Sequence, residues 1–213
     1  YSVAALQSGK ILLGANFGRL FEKKENTFTL IKDKPVPSAE IKAMYEDERG
    51  RLWIASGYQG LVLMRNNKTE RYTIENGLHD NSLYQFIKTT NGKLYVLGDR
   101  GISEIVVAAN ETVSFRKYYR QPNISQYAKF FSGAEAPDGS IWMGGEEGIV
   151  YFKNDSLHHF LVNGKQLVIN FLIKDEIGNV WMAASGEGIL QCILKKKNEL
   201  EIVKQFTEAD GLN

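Results

Sequence analysis

Three histidines and one cysteine are the residues from which covalent or metal chemistry would have to be built, and none stands in a spacing that supports it. His158 and His159 are adjacent, so on a strand they point to opposite faces and cannot easily share one ion. Cys192, in "LQCIL", has no second cysteine and no nearby histidine in the sequence, which makes a buried strand residue the simplest reading. No P-loop, no G-x-G-x-x-G after a strand, no H-E-x-x-H and no G-x-S-x-G occurs. The acidic runs "YEDERG" and "KDEIG" lack the alternating ligand spacing of a calcium loop. These residues point to no catalytic group, no metal and no cofactor.

Reversible recognition fits a second set of residues better. Five short stretches, "ANFG", "GYQG", "GDRG", "GEEG" and "SGEG", carry Phe17, Tyr58, Gln59, Asp99, Arg100, Glu146, Glu147 and Glu187. The stretch "LHDNS" adds His79 and Asp80. Aromatic planes beside amide, guanidinium and carboxylate groups suit a sugar, which presents apolar C–H faces and hydroxyls together. Four Asn-x-Ser/Thr sequons, at Asn67, Asn110, Asn123 and Asn154, are read as turn asparagines rather than glycan sites.

Side chains so far apart in sequence act together only if a rigid repeat gathers them. Such a repeat is present. A glycine followed three positions later by a bulky residue recurs at Gly9, Gly50, Gly92, Gly139 and Gly178, with Leu12, Trp53, Tyr95, Trp142 and Trp181 in the bulky place. A second glycine follows at 18, 60, 101, 148 and 188. Within a unit the signals are β: runs such as "KLYVLG" and "SIWMGG" are rich in aromatic and aliphatic residues, and "NG" at 91–92 and "DG" at 138–139 are strong hairpin turns. In the second unit the strands are predicted at 40–45, 52–56, 61–65 and 69–73. Four antiparallel strands recurring about every 40 residues are the signature of a β-propeller blade. The predicted fold is all-β, five blades covering approximately 1–38, 39–80, 81–125, 126–165 and 166–213. A single blade cannot bury both of its faces, so Trp53, Tyr95, Trp142 and Trp181 are predicted to fill the gaps between neighbours. In this architecture the loops from second to third strand, and from fourth strand to the next first strand, gather at one mouth of the central channel, which collects the recognition residues.

Composition closes off other classes. The 26 basic and 25 acidic side chains nearly cancel, so no strong field draws the chain to nucleic acid or to an anionic membrane. With 43% hydrophobic residues it can build a real core, and no apolar run approaches the roughly 20 residues that would span a bilayer.

The unit "IKAMYEDERGRLWIASGYQGLVLM", closed by "YTIENGLHDNSLYQFI", resembles the two-component regulator propeller repeat, including its "GL" phrase at Gly77-Leu78 and again at Gly211-Leu212. Ala-Ser, Gly-Gly and Ala-Ala stand where the family has Gly-Thr after the tryptophan strand. The resemblance implies a periplasmic ligand-sensing region of a bacterial hybrid two-component sensor, of a kind common in Bacteroidetes. It also implies an oligosaccharide or other small extracellular ligand. Further blades and a β-sandwich domain of the same chain, and a possible homodimer, are the implied partners. The histidine kinase would lie outside this segment, in an inner-membrane protein of which these residues are part of the ectodomain. "ADGLN" ends where a sixth first strand would begin, and "YSVAALQSGK" starts as a first strand without its "GL" lead, so the five units are expected to belong to a ring of about seven blades. Two other readings are a propeller enzyme resembling streptogramin lyases and a structural dimerisation scaffold.

Overall fold

Each of the five glycines that head the repeat sits at positive φ in the same tight turn: Gly50 at 71° donates its N–H to Asp47 O, and Gly139 at 77° donates to Ala136 O. Glycine reaches this conformation without the steric cost a Cβ imposes, which is why the repeat keeps it where the side chains around it change. The computed structural model describes residues 2–32, 38–66, 68–119, 128–160, 162, 166–195 and 199–212. The sequons at Asn67 and Asn123 lie outside them.

The turns join four-stranded antiparallel sheets, five in all. The first contains β1 (Ser2–Ala5), β2 (Ile11–Gly14), β3 (Leu20–Lys24) and β4 (Thr27–Leu30). The second contains β5 (Ile41–Glu46), β6 (Leu52–Ser56), β7 (Leu61–Arg65) and β8 (Lys68–Tyr72). The third contains β9 (Leu83–Lys88), β10 (Leu94–Gly98), β11 (Gly101–Val107) and β12 (Val113–Tyr119). The fourth contains β13 (Phe130–Glu135), β14 (Ile141–Gly145), β15 (Gly148–Lys153) and β16 (Ser156–Phe160). The fifth contains β17 (Ile169–Lys174), β18 (Val180–Ala184), β19 (Gly188–Lys195) and β20 (Glu199–Phe206). In every sheet the strands pair in chain order, and the first strands of successive sheets touch one another, so each sheet is a propeller blade with its first strand innermost.

Two strands of the second blade are displaced by one residue at each end from the expected 40–45 and 69–73, to Ile41–Glu46 and Lys68–Tyr72. Pairing of Glu46 with Leu52 extends β5 past Tyr45, and β8 stops at Tyr72 because Thr73 caps the short 3-10 turn that follows, its N–H donating to Asn76 Oδ1 at 2.9 Å.

The core is divided among the seams between blades. Four apolar clusters match the four junctions: Leu12, Ile41, Ile54 and Val62 between the first two blades; Trp53, Leu63, Leu83 and Val96 at the next; Tyr95, Phe130, Met143 and Val150 at the third; Trp142, Ile169, Met182 and Leu190 at the last. Trp53 and Trp142 are fully buried and Tyr95 nearly so. Their polar ends are satisfied: Trp53 Nε1 donates to Asp47 Oδ2 at 2.9 Å and Trp142 Nε1 to Ser140 Oγ at 2.8 Å. Trp181 donates to Asp175 Oδ2 at 2.8 Å but is half-buried, because it lies on the outward face of the fifth blade. There Phe171, Ile173, Trp181, Ala183, Ile189 and Phe206 line an apolar hollow of about 550 Å³.

The small residues that end the second strands have a packing reason. A Cβ built on Gly144 would run into Ile169 Cγ2, and one on Gly14 into Ile41 Cγ2, each isoleucine opening the first strand of the next blade. Ala55 occupies the same place opposite Leu83. Gly144→Ala is expected to lower stability by about 1–3 kcal/mol through overpacking of this seam. Urea unfolding checks this, and a loss below about 0.5 kcal/mol would mean that Ile169 moves aside freely.

Candidate functional site

The second-to-third-strand loops are bonded to the segments that lead into the first strands. Gly60 N–H donates to Asn81 O, Arg100 N–H to Ala128 O, Glu146 N–H to Lys129 O, and Ser185 N–H to Val168 O. These bonds draw the two loop sets onto one face of the propeller.

On that face four of the five innermost strands are not regular. In β5 the pairing passes from Ile41 to Ala43, in β9 from Leu83 to Gln85, in β13 from Phe130 to Ser132 and in β17 from Ile169 to Phe171. Each shift leaves one residue out of the ladder: Lys42, Tyr84, Phe131 and Asn170. A bulge re-aims a side chain and bends its strand, and four bulges at the same repeat position place four side chains in a row around the channel mouth. Three of the four lie together. Tyr84 and Phe131 meet edge to face with centroids 5.6 Å apart, and Lys42 Nζ lies 6.0 Å from the Tyr84 ring centroid.

The loop residues extend this row. The Tyr84 hydroxyl donates to Asp99 Oδ1 at 2.8 Å. Burial raises the Asp99 carboxyl above the usual carboxylate range, and nearby Asp80 adds to this, while the Tyr84 bond works against it. Tyr84 is itself pushed above the ordinary phenol value by burial and by Asp99. Arg100 pairs with Asp80, and Lys129 with Glu146 at 3.0 Å. Tyr58 and Phe17 project into solvent, each 75% exposed. Gln59 Nε2 donates to Ser38 Oγ at 2.9 Å, Glu147 O contacts His159 Nε2 at 2.6 Å, and Glu187 accepts from Gln205 Nε2 through its backbone oxygen at 2.9 Å.

Two residues of the sequence-derived set are not presented to a ligand. His79 and Asp80 are buried beneath the loops, each 7% exposed. His79 N–H donates to Ser103 Oγ at 3.1 Å and its Nδ1 lies 2.7 Å from the same oxygen, while Nε2 has no hydrogen-bond partner. Burial lowers its pKa to about 3, so the ring is neutral. Conversely, Lys42, Tyr84 and Phe131 are absent from that set, because it was drawn from loops alone, and Lys129, in the segment that leads into β13, is absent as well. A signal for the bulges was present. Ile41 and Met44 face one seam, as do Ile169 and Leu172, and an odd spacing on one face breaks the period of a regular strand.

The arrangement is equipped to hold a polar ligand against aromatic surface. Among the described residues no three His, Cys, Asp or Glu side chains converge on a possible metal position. Cys192 is buried with its thiol pushed up to about 12 by desolvation, which suppresses thiolate reactivity.

Residues 35–58 match the family described as two component regulator propeller, so the repeat resemblance holds at the second unit. A search of curated protein sequences finds no match. Among solved structures, the extracellular domain of a protein assigned to hybrid two component systems of B. thetaiotaomicron superimposes with a TM-score of 0.74 at 18% identity. The alignment covers 94% of this chain and 29% of that one. Virginiamycin B lyase from Staphylococcus aureus gives a TM-score of 0.67 at 15% identity, over 97% of this chain and 69% of the lyase. PorZ, a surface component of the type-IX secretion system of Porphyromonas gingivalis, gives 0.67 at 17% identity, over 94% and 33%. At these identities the likeness is one of fold: the chain is a β-propeller.

Proposed function

We propose that this propeller is a non-catalytic ligand-sensing module of a bacterial hybrid two-component sensor, exposed on the periplasmic side, with an oligosaccharide as ligand. The observation that carries this reading is the row of bulged residues, in which Tyr84 and Phe131 form an aromatic wall flanked by Lys42 and Asp99. The family match at residues 35–58 supports the sensor context. The kinase lies in a different part of the protein under this reading. The apolar outward face of the fifth blade is covered there by further blades of the same chain, since the equivalent face of each preceding blade is covered by its neighbour.

Taking for each ring the lower part of the range of about 0.5–1.5 kcal/mol found for aromatic pairs as the scale for a sugar face packed on it, Tyr84→Ala with Phe131→Ala is expected to weaken binding roughly tenfold while the fold is retained. A panel of soluble oligosaccharides tested by calorimetry, followed by the double variant on any that bind, checks this. Equal affinity in the variant would remove the site, and no binding anywhere in the panel would remove the oligosaccharide reading. The similarity to virginiamycin B lyase keeps an enzymatic reading in view. His79 does not support it, since a buried neutral imidazole bonded to Ser103 cannot reach a substrate at the mouth.

A further inference from the structure

The first blade is the one without an aromatic residue at the bulky position of the repeat, which is Trp53, Tyr95, Trp142 and Trp181 in the others. At the bulky position of the repeat the first blade has Leu12, and where Asp47 and Asp175 accept the indole N–H of Trp53 and Trp181 it has Leu6. An indole and its acceptor have thus been replaced by two leucines.

The consequence is visible when equivalent grooves are compared. At the seam between second and third blades, Asp47, Arg51, Trp53, Lys88, Leu94 and Ile105 line a groove of about 250 Å³. At the seam between first and second, the equivalent groove is about 610 Å³. Its floor is Leu6, Leu12, Leu20, Ile31, Leu52 and Met64. That size lies within the range of about 300–1,000 Å³ typical of small-molecule sites, and the apolar floor is ringed by Lys10, Glu22, Glu46, Arg65, Asn66, Lys68 and Thr69. The groove opens beside the turns at Gly50 and Asn66, which lie at the ends of the strands away from the channel-mouth loops, so it is separate from the bulged row.

The rim selects among ligands. Lys10 is paired with Glu22 at 3.0 Å, Arg65 with Glu70 and Glu111 at 2.7 and 2.8 Å, and Glu46 accepts from Gln7 N–H at 2.5 Å. Among the described residues Lys68 is the rim cation without an ion pair. We propose that this inter-blade groove is a second ligand site, taking a small aromatic molecule with an anionic arm: the ring occupies the apolar floor where the other blades carry their own aromatic side chain, and the anion meets Lys68. An apolar cavity left by a missing side chain can take up an aromatic molecule of matching size, which is the physical basis of the assignment.

Indole-3-propionate is the probe, titrated by calorimetry into the intact chain at low salt. Saturable binding is expected. Leu12→Trp introduces the indole that the second, fourth and fifth blades carry and is expected to abolish binding, with an unchanged or raised melting temperature. Lys68→Glu, a surface change that leaves the floor intact, is expected to weaken binding at least fivefold. Ile173→Ser, on the outward face of the fifth blade, is expected to change nothing. Absence of saturable binding at millimolar probe overturns the proposal, as does binding that survives Leu12→Trp. Loss of binding in Ile173→Ser overturns it too, by moving the probe to the other apolar surface.

Discussion

Trp53→Ala will lower the stability of the propeller by about 3–5 kcal/mol, the range for removing a large buried aromatic side chain from a core that cannot collapse around the gap. Trp53 is fully buried between Leu61 and Leu63 of its own blade and Leu83, Leu94 and Val96 of the next, so its loss opens a seam instead of a surface. Relaxation there would require one whole sheet to shift against another. Asp47 is not left as an orphaned charge, because Arg51 Nε still donates to Oδ2 at 2.7 Å and the backbone N–H groups of Arg49 and Arg51 donate to Oδ1. The expected cost is therefore burial and cavity, with the one indole bond added. Trp181→Ala supplies the control, since the same residue type makes the same bond to Asp175 but is only half-buried. It is expected to cost less than half as much in urea unfolding at neutral pH. Equal costs for the two variants would mean that the indole bond, and not the seam, carries the stabilisation.

The fold was legible because the repeat states its packing in every copy. Gly50, Trp53 and Gly60 mark a turn, a seam filler and a second turn, and the same three marks recur, so a single local reading was tested five times along the chain. Boundaries were less legible where a strand gives way to a cap: Thr73 has a high strand preference, yet its hydroxyl and N–H are used by the following turn. The loop residues Tyr58, Asp99 and Arg100 could be placed at the mouth from topology alone. His79 could not, because polarity suggested exposure while Ser103, on a strand two hairpins away, supplies the partner that allows burial. The bulged residues were missed for a related reason. A bulge is a relation between two strands, and within "SLYQFI" only the spacing of Leu83 and Phe86 on one seam reveals that Tyr84 stands outside the ladder.

The burial of His79 has its own measurable outcome, and the sign follows from proton linkage. Its pKa is lowered to about 3 in the folded protein from an ordinary value near 6.5, chiefly by desolvation, with the positive charge of Arg100 acting in the same direction and Asp80 against it. Between those two values the unfolded chain carries a proton on this imidazole that the folded chain does not. Stability is then full above about pH 6.5 and falls as the pH is lowered, by up to about 1.4 kcal/mol per unit, reaching a loss of about 3 kcal/mol by pH 4. Asp47, Glu70 and Asp138, whose carboxyls are held below their ordinary range by hydrogen bonds and ion pairs that outweigh burial, also lose their contribution in acid. Their loss begins only near their ordinary pKa of about 4, well below the start of the His79 window. Asp99 acts with opposite sign, since its raised carboxyl favours the folded state at lower pH and gives up that advantage as the pH rises. Urea unfolding at pH 7.0 and 5.5 should therefore show a drop of about 1.2 kcal/mol in the native protein. In His79→Gln, each measurement referred to that variant's own value at pH 7.0, the drop should largely vanish, because the amide can still meet Ser103 but cannot take up a proton. If His79→Gln kept the full drop, the imidazole would already be titrating in the folded state, and water would have to reach it beneath the loops of the channel mouth.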